Sequence, residues 1–197
     1  MSYNAFAEFY DGLTGNVEYK DRAEYIEKLI KSFGREAGTT LDLACGTGSL
    51  TLELYRRGFD IFGVDASIDM LSEAQQKCSE DEQILFICQK MQRLNLASEI
   101  DTCICTLDSI NHLTNPKDVK ETFKRVAKYL SKEGLFIFDV NTLYKHREVL
   151  CDNCFVFDTD EVFCSWQNEL DKETDIVNIT LDFFIRKNFY PRGYQFL

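Results

Sequence analysis

The chain has 197 residues, 33 acidic against 22 basic, for a formal net charge of −11. That balance argues against a basic nucleic-acid footprint, and 45% hydrophobic with 28% charged residues is ordinary for a soluble globular protein with a full core. The first eleven residues lack the basic and apolar regions of a secretory signal, and no apolar run reaches membrane-span length. The eight cysteines are therefore expected as reduced thiols in a cytoplasmic protein, with no membrane or nucleic-acid partner.

Tyr3, Phe6, Phe9 and Tyr10 form an aromatic stripe on a short opening helix. Ile26, Leu29, Ile30 and Phe33 repeat at helical spacing, and Gly34 closes that helix. The apolar run ending Leu41-Asp42-Leu43-Ala44-Cys45 then meets Gly46 and Gly48, and a helix follows over about Ser49–Arg57. This order predicts a parallel strand, a tight turn and a helix N-terminus, where unpaired backbone N–H groups meet a polar or anionic ligand. Asp42 is out of place in a strand buried on both faces, so its carboxylate calls for a partner, a cationic ligand group among the candidates.

Phe59–Asp65 reads as the second strand, with Ser67 capping a helix whose Met70, Leu71, Ala74 and Cys78 share a face. Ile84–Cys88 and Ile100–Thr106 supply the third and fourth strands. Asn115-Pro116 opens a helix with Val119, Phe123, Val126, Ala127 and Leu130 on its buried side and Gly134 at its end; Leu135–Phe138 is a fifth strand. Alternating strands and helices predict a doubly wound, Rossmann-like α/β sheet, mostly parallel. After about Asn141 the pattern becomes antiparallel: Phe155–Phe157 and Val162–Trp166 as a hairpin, and an alternating strand over Val177–Ile185. The expected division is a core over 1–145 and a small β appendage over 146–197.

Asp65 ends the second strand 65 − 46 = 19 residues beyond Gly46, placed to accept hydrogen bonds from ribose hydroxyls at the carboxyl edge of the sheet. A dinucleotide fingerprint would put a third glycine at position 51, where this chain has Thr51, and no lysine follows as in a phosphate loop. Leu41-Asp42-Leu43-Ala44-Cys45-Gly46-Thr47-Gly48 resembles instead the first motif of class I S-adenosylmethionine-dependent methyltransferases. Val64–Ser67 with Met70-Leu71 looks like that family's ribose turn. Asp101–Leu113, with Asp108-Ser109-Ile110-Asn111, is similar to its fourth-strand motif, and Leu130–Thr142 to its fifth.

The resemblance implies S-adenosylmethionine as cofactor and methyl transfer to an N or O nucleophile of a small molecule. Asp42 would then hold the ammonium group, Gly46 and Gly48 would shape the loop, and Asp65 would bind the ribose. Ala66, Met70, Gln89 and Met91 would lie toward the adenine, with Leu107 on the other side and Tyr3 and Tyr10 in a lid. Ser109 and Asn111 would position substrate, and His112 is the candidate base for a hydroxyl acceptor. Lys90 departs from the pattern, standing where the family carries an acid that accepts from the adenine amino group. The appendage matches a substrate-covering element of small bacterial members. The chain reads as short at its C-terminus, with final sheet strands missing, and the exposed sheet edge or the appendage offers a homodimer surface. Two other readings stand beside this one: an inactive S-adenosylmethionine-binding remnant, and an NAD-dependent oxidoreductase. Cys151-x-x-Cys154 has no second pair and predicts no metal site.

Overall fold

The computed structural model describes residues 3–186, with side chains from residue 6 onward; the Tyr3 side chain and the Arg192–Leu197 stretch lie outside the described residues. It divides into two compact units, one through Asn141 and one from Thr142.

In the first unit, α1 (Tyr3–Leu13) and α2 (Tyr19–Ser32) precede β1 (Thr39–Leu43), α3 (Ser49–Arg56), β2 (Asp60–Asp65), α4 (Ile68–Lys77) and β3 (Phe86–Cys88). Then come β4 (Ile100–Cys105), α5 (Pro116–Tyr129) and β5 (Leu130–Phe138). The five strands are all parallel, in the order β3-β2-β1-β4-β5. The order reverses between β1 and β4, and the crevice outside the carboxyl ends of the strands at such a reversal is where open α/β sheets bind ligands.

Strand β1 is central and buried along nearly all its length, with Thr40, Leu41 and Leu43 fully buried. The period of two sends Leu41 and Leu43 into a core with Val64, Cys103, Cys105 and Val126 of α5. The opposite face packs Ile61 and Ile104 against Ile26 and Ile30 of α2 and Leu50 and Leu54 of α3. Asp42, between the two leucines, therefore turns toward the α3 side of the sheet.

Capping follows the expected chemistry: Ser67 Oγ accepts from Met70 N at 3.3 Å, and Asn115 Oδ1 from Lys117 N at 3.0 Å. Three local expectations change. Helix α5 stops at Tyr129, not at Gly134, because Leu130 turns extended (φ −66°, ψ 132°) and leads into β5. Gly134 lies inside that strand, where a Cβ would come within 2.7 Å of Leu130 Cδ2. On α5, Ala127 faces outward while Thr122 and Tyr129 are buried, Tyr129 donating its hydroxyl to Asn95 Oδ1 at 2.8 Å. Phe33 is 62% exposed, since α2 has ended at Ser32.

The second unit is an antiparallel meander of β6 (Cys154–Asp158), β7 (Val162–Asp171) and β8 (Ile176–Ile185), with β7 central. The expected hairpin thus gains the third strand on β7, whose Val162 and Cys164 are buried. Cys154 is exposed, and among the described residues no group of three or more His, Cys, Asp or Glu is arranged to hold a metal. No helix among them is long and apolar enough to cross a membrane.

Candidate functional site

After Leu43 the chain turns sharply: Ala44, Gly46 and Gly48 all have positive φ, at 62°, 55° and 71°. The Ala44 and Cys45 amides still donate to Val64 O, at 2.7 and 3.1 Å, which ties the turn to β2. The two glycines are required for different reasons. A Cβ on Gly48 would lie 2.8 Å from Ala74 Cβ, whereas one on Gly46 would meet nothing within 4 Å. Gly48 allows helix packing, and Gly46 leaves an open face over the turn.

Two carboxylates flank this loop. Asp65 Oδ2 accepts from the Gly46 amide at 2.9 Å, and its Oδ1 from the Ser67 amide at 2.8 Å. Each oxygen keeps a further lone pair, so the group can also accept from two hydroxyls. Asp42 is buried and accepts the Thr51 hydroxyl on Oδ2 at 2.6 Å. Burial pushes its carboxyl up to about 6, against the opposing pull of Thr51 and with a further push from Asp65. Thr51, first notable as a missing glycine, is the residue on α3 that holds the Asp42 carboxylate.

The facing wall rises from the end of β4. Leu107 and Asp108 also adopt positive φ, 59° and 51°, a conformation that persists for such residues only when neighbours enforce it. Asp139, just past β5, does so: its Oδ2 accepts from Leu107 N at 3.0 Å and its Oδ1 from Asp108 N at 2.6 Å. Arg22 of α2 donates to Asp139 Oδ2 at 3.2 Å. Asn141 completes the brace, donating to Asp108 Oδ2 from its side chain and to Asn111 Oδ1 from its backbone, both at 2.8 Å.

Between these walls lies a recess open to solvent. Asp42, Ala44, Cys45, Gly46 and Thr47 form its floor, and Leu107 and Ser109 one side. Tyr10 of α1 and Tyr19 of α2 line it too, and burial first, then Tyr19 and the nearby carboxylates, push the Tyr10 phenol well up. Both tyrosines are neutral hydrogen-bonding walls. The Cys45 thiol is likewise raised well above the ordinary thiol range by burial, and stays protonated.

The structure thus brings together Asp42, Gly46, Tyr10, Leu107 and Ser109 around one recess, with Asp65 bonded to its floor. Others lie apart. Met70 is buried on α4, Ala66 is exposed, and Met91 packs on the core beneath β1. Gln89 spends its amide on Asn95, donating to its carbonyl at 3.2 Å and accepting from its N–H at 2.8 Å. Asn111 belongs to the brace, and His112 is exposed on a short 3-10 turn, outside the recess lining. Sequence reasoning missed Tyr19, Ala44, Cys45, Thr47, Ser49, Leu50 and Thr106 as lining residues. Thr47 and Ser49 lay inside the glycine motif, but nothing in the spacing of α2 singles out Tyr19.

The donor set fits S-adenosylmethionine. A buried carboxylate without a cation would accept the ammonium, Asp65 retains acceptors for two ribose hydroxyls, and the open face of Gly46 admits close approach of a ligand.

Comparison with known proteins agrees. The methyltransferase-domain family model matches residues 40–134. The chain is 36% identical over 186 residues to the putative methyltransferase YqeM of Bacillus subtilis, covering 94% of this chain and 74% of that protein. It is 30% identical over 138 residues to the glycine/sarcosine N-methyltransferase of Aphanothece halophytica, covering 68% of this chain and 51% of that one. Among solved structures, an S-adenosylmethionine-dependent methyltransferase from Clostridium acetobutylicum superposes with a TM-score of 0.83 at 38% identity, covering 94% of this chain and 76% of that chain.

Proposed function

Because this chain belongs to the class I S-adenosylmethionine-dependent methyltransferases, we propose that it binds S-adenosylmethionine in the recess above β1 and transfers its methyl group to an N or O nucleophile of a small molecule. The observation that carries this reading is the pair of carboxylates, Asp42 and Asp65, set on either side of the Gly46 turn, with Asp65 hydrogen-bonded to Gly46 itself. A phosphate-binding loop would not place two acids there.

When bound, the cofactor supplies a sulfonium-activated methyl group. The protein's own part is alignment and exclusion of water. Asp42, oriented by Thr51, receives the ammonium; Asp65 receives the ribose hydroxyls; the Gly46 turn lets both approach the backbone. Tyr10 and Tyr19 cover the recess, and the Asp139-braced Leu107–Asp108 turn forms its acceptor-side wall, with Ser109 presenting a hydroxyl there. An amine acceptor attacks in its neutral form and asks for no strong base. His112, exposed beside this wall, is the residue available for a hydroxyl acceptor. The name of the Aphanothece relative, a glycine/sarcosine N-methyltransferase, favours a small amine.

All eight cysteines are free, which supports a reducing, cytoplasmic setting. The outer edge of β5, with Phe138 exposed, is the surface we assign to a homodimer contact. Titration calorimetry with S-adenosylmethionine, S-adenosylhomocysteine and NAD tests the cofactor assignment. Micromolar binding of the two sulfur ligands and none of NAD is expected; binding of NAD alone would overturn it. A methyl-acceptor screen with radiolabelled cofactor then identifies the nucleophile.

A further inference from the structure

One side chain of α1 reaches out of its own helix to three partners on two other elements. Asp11 Oδ1 accepts the Thr47 hydroxyl at 2.7 Å and the Ser49 hydroxyl at 3.3 Å, while its Oδ2 pairs with the Lys77 ammonium at the end of α4. Lys77 closes the set by donating to Ser49 Oγ at 2.8 Å. Thr47 and Ser49 flank Gly48 in the glycine turn, and both line the recess. Tyr10, the residue before Asp11, also lines the recess. The helix that carries Tyr10 is thus tied to the glycine turn through the Asp11 carboxylate.

Helix α1 also packs by its apolar face. Its ordinary packing against the unit is by Ala7, Phe9 and Leu13, which are buried, while Asp11 stands on the face turned to the loop. The tie also fixes hydroxyl orientation. With its proton directed to Asp11, the Thr47 oxygen can offer only lone pairs to anything else in the recess.

We propose that Asp11 is a positioning residue, a latch that holds α1 closed over the glycine turn and so sets the rate at which cofactor leaves the recess. The proposal rests on the cofactor reading above. It assigns Asp11 no contact with the ligand; the residue acts through Tyr10, Thr47 and Ser49. Asp11 and Lys77 are partly exposed, with side chains 43% and 25% accessible, so the latch is also expected to loosen as salt screens the pair.

Two readouts test it on the full chain. Amide exchange of residues 3–13 is measured without cofactor in the wild type, Asp11→Ala, Asp11→Glu and Lys77→Met. Release of S-adenosylhomocysteine is followed by stopped flow in the same proteins. Asp11→Ala is expected to speed α1 exchange and to raise the release rate about tenfold, the size of effect that loss of one charged hydrogen-bond set gives. Lys77→Met should have a smaller effect, and Asp11→Glu a partial recovery toward wild type. If Asp11→Ala does not fold, Thr47→Val and Lys77→Met each remove one arm and are expected to change both readouts in the same direction by a smaller amount. Unchanged α1 exchange and unchanged release in the folded variants overturn the latch. A wild type that binds no S-adenosylhomocysteine overturns the cofactor reading, and control of release falls with it, whatever α1 exchange shows.

Discussion

The Gly46 amide donates to Asp65 Oδ2 at 2.9 Å, joining the loop after β1 to the end of β2 across nineteen residues of chain. The bond explains why the acid and the glycine belong together. Asp65 fixes the loop before any ligand arrives, and the loop holds the carboxylate still for the ribose. Asp65→Ala removes the acceptor for both Gly46 and Ser67 amides. Hydrogen bonds to a charged group are worth about 1.5–3 kcal/mol each. S-adenosylhomocysteine affinity is expected to fall at least about 100-fold by calorimetry, with the melting temperature lowered as well. Asp65→Asn keeps one oxygen acceptor and should fall between the two.

The two loop glycines separate stability from binding. Gly48→Ala forces a Cβ to 2.8 Å from Ala74 Cβ at φ 71°, so α3 and α4 must part. A loss of about 2 kcal/mol or more in urea unfolding is expected, from strain and overpacking together. Gly46→Ala, at φ 55° with nothing within 4 Å, pays only the left-handed strain of about 1 kcal/mol. Its methyl group fills the open face where the cofactor approaches, and calorimetry should show the larger affinity loss there. A reversed order would remove the distinction drawn between the two glycines.

The α/β order, the strand positions and the glycine turn were legible because each rests on local pattern: an apolar run, a capping residue, a glycine pair. The end of α5 was not, because Leu130 carries an apolar side chain that suits either a helix face or a strand start, and only the pairing of β5 with β4 decides. Asp42 was marked by its charge in a buried strand, but its partner could not be read. Thr51 becomes that partner only once α3 folds back over β1. Tyr19 was invisible for the same reason: α2 crosses the recess by packing on α3, a tertiary fact with no trace in its own spacing. Asp139 lies within the Leu130–Thr142 motif, but its role depends on two backbone amides that are 31 and 32 residues away.

Asp42 makes the unliganded protein sensitive to pH. Its folded carboxyl lies at about 6, above its ordinary 3.8. A raised acid is a stabilising contribution below the unfolded value, and it is lost as pH climbs through the folded one. Between about pH 4 and pH 6.5 the wild type should therefore lose on the order of 3 kcal/mol relative to Asp42→Asn. Cofactor binding runs the other way, since the ammonium needs the ionised acid. S-adenosylhomocysteine affinity should rise with pH through 6 in the wild type and stay weak and flat in Asp42→Asn. Thr51→Val removes the donor that favours ionisation, so it should move the wild-type midpoint to higher pH. Urea unfolding and calorimetry across pH 4–8 check both slopes, and parallel curves for wild type and Asp42→Asn would sink the assignment.

Asp139 is the other carboxylate on which the recess depends, and it acts through backbone alone. It supplies the acceptors that hold Leu107 and Asp108 at positive φ, and the side chain of Asn111 is tied to the same brace through Asn141. Asp139→Asn turns an amide N–H₂ toward one of the two backbone donors, so one bond is replaced by a repulsion. A stability loss of about 2 kcal/mol is expected, together with a lower methyl-transfer rate, because the wall bounding the acceptor side is no longer fixed. Arg22→Gln makes the control. Arg22 contacts Asp139 Oδ2 at 3.2 Å, but the two side chains are 35% and 42% exposed. Such exposed pairs are worth about 0–1 kcal/mol, so this variant should keep nearly full stability and most of its activity. If Arg22→Gln proved as damaging as Asp139→Asn, the wall would depend on the ion pair and not on the two amide bonds. Unfolding curves and single-turnover methyl transfer on the two variants decide between these causes.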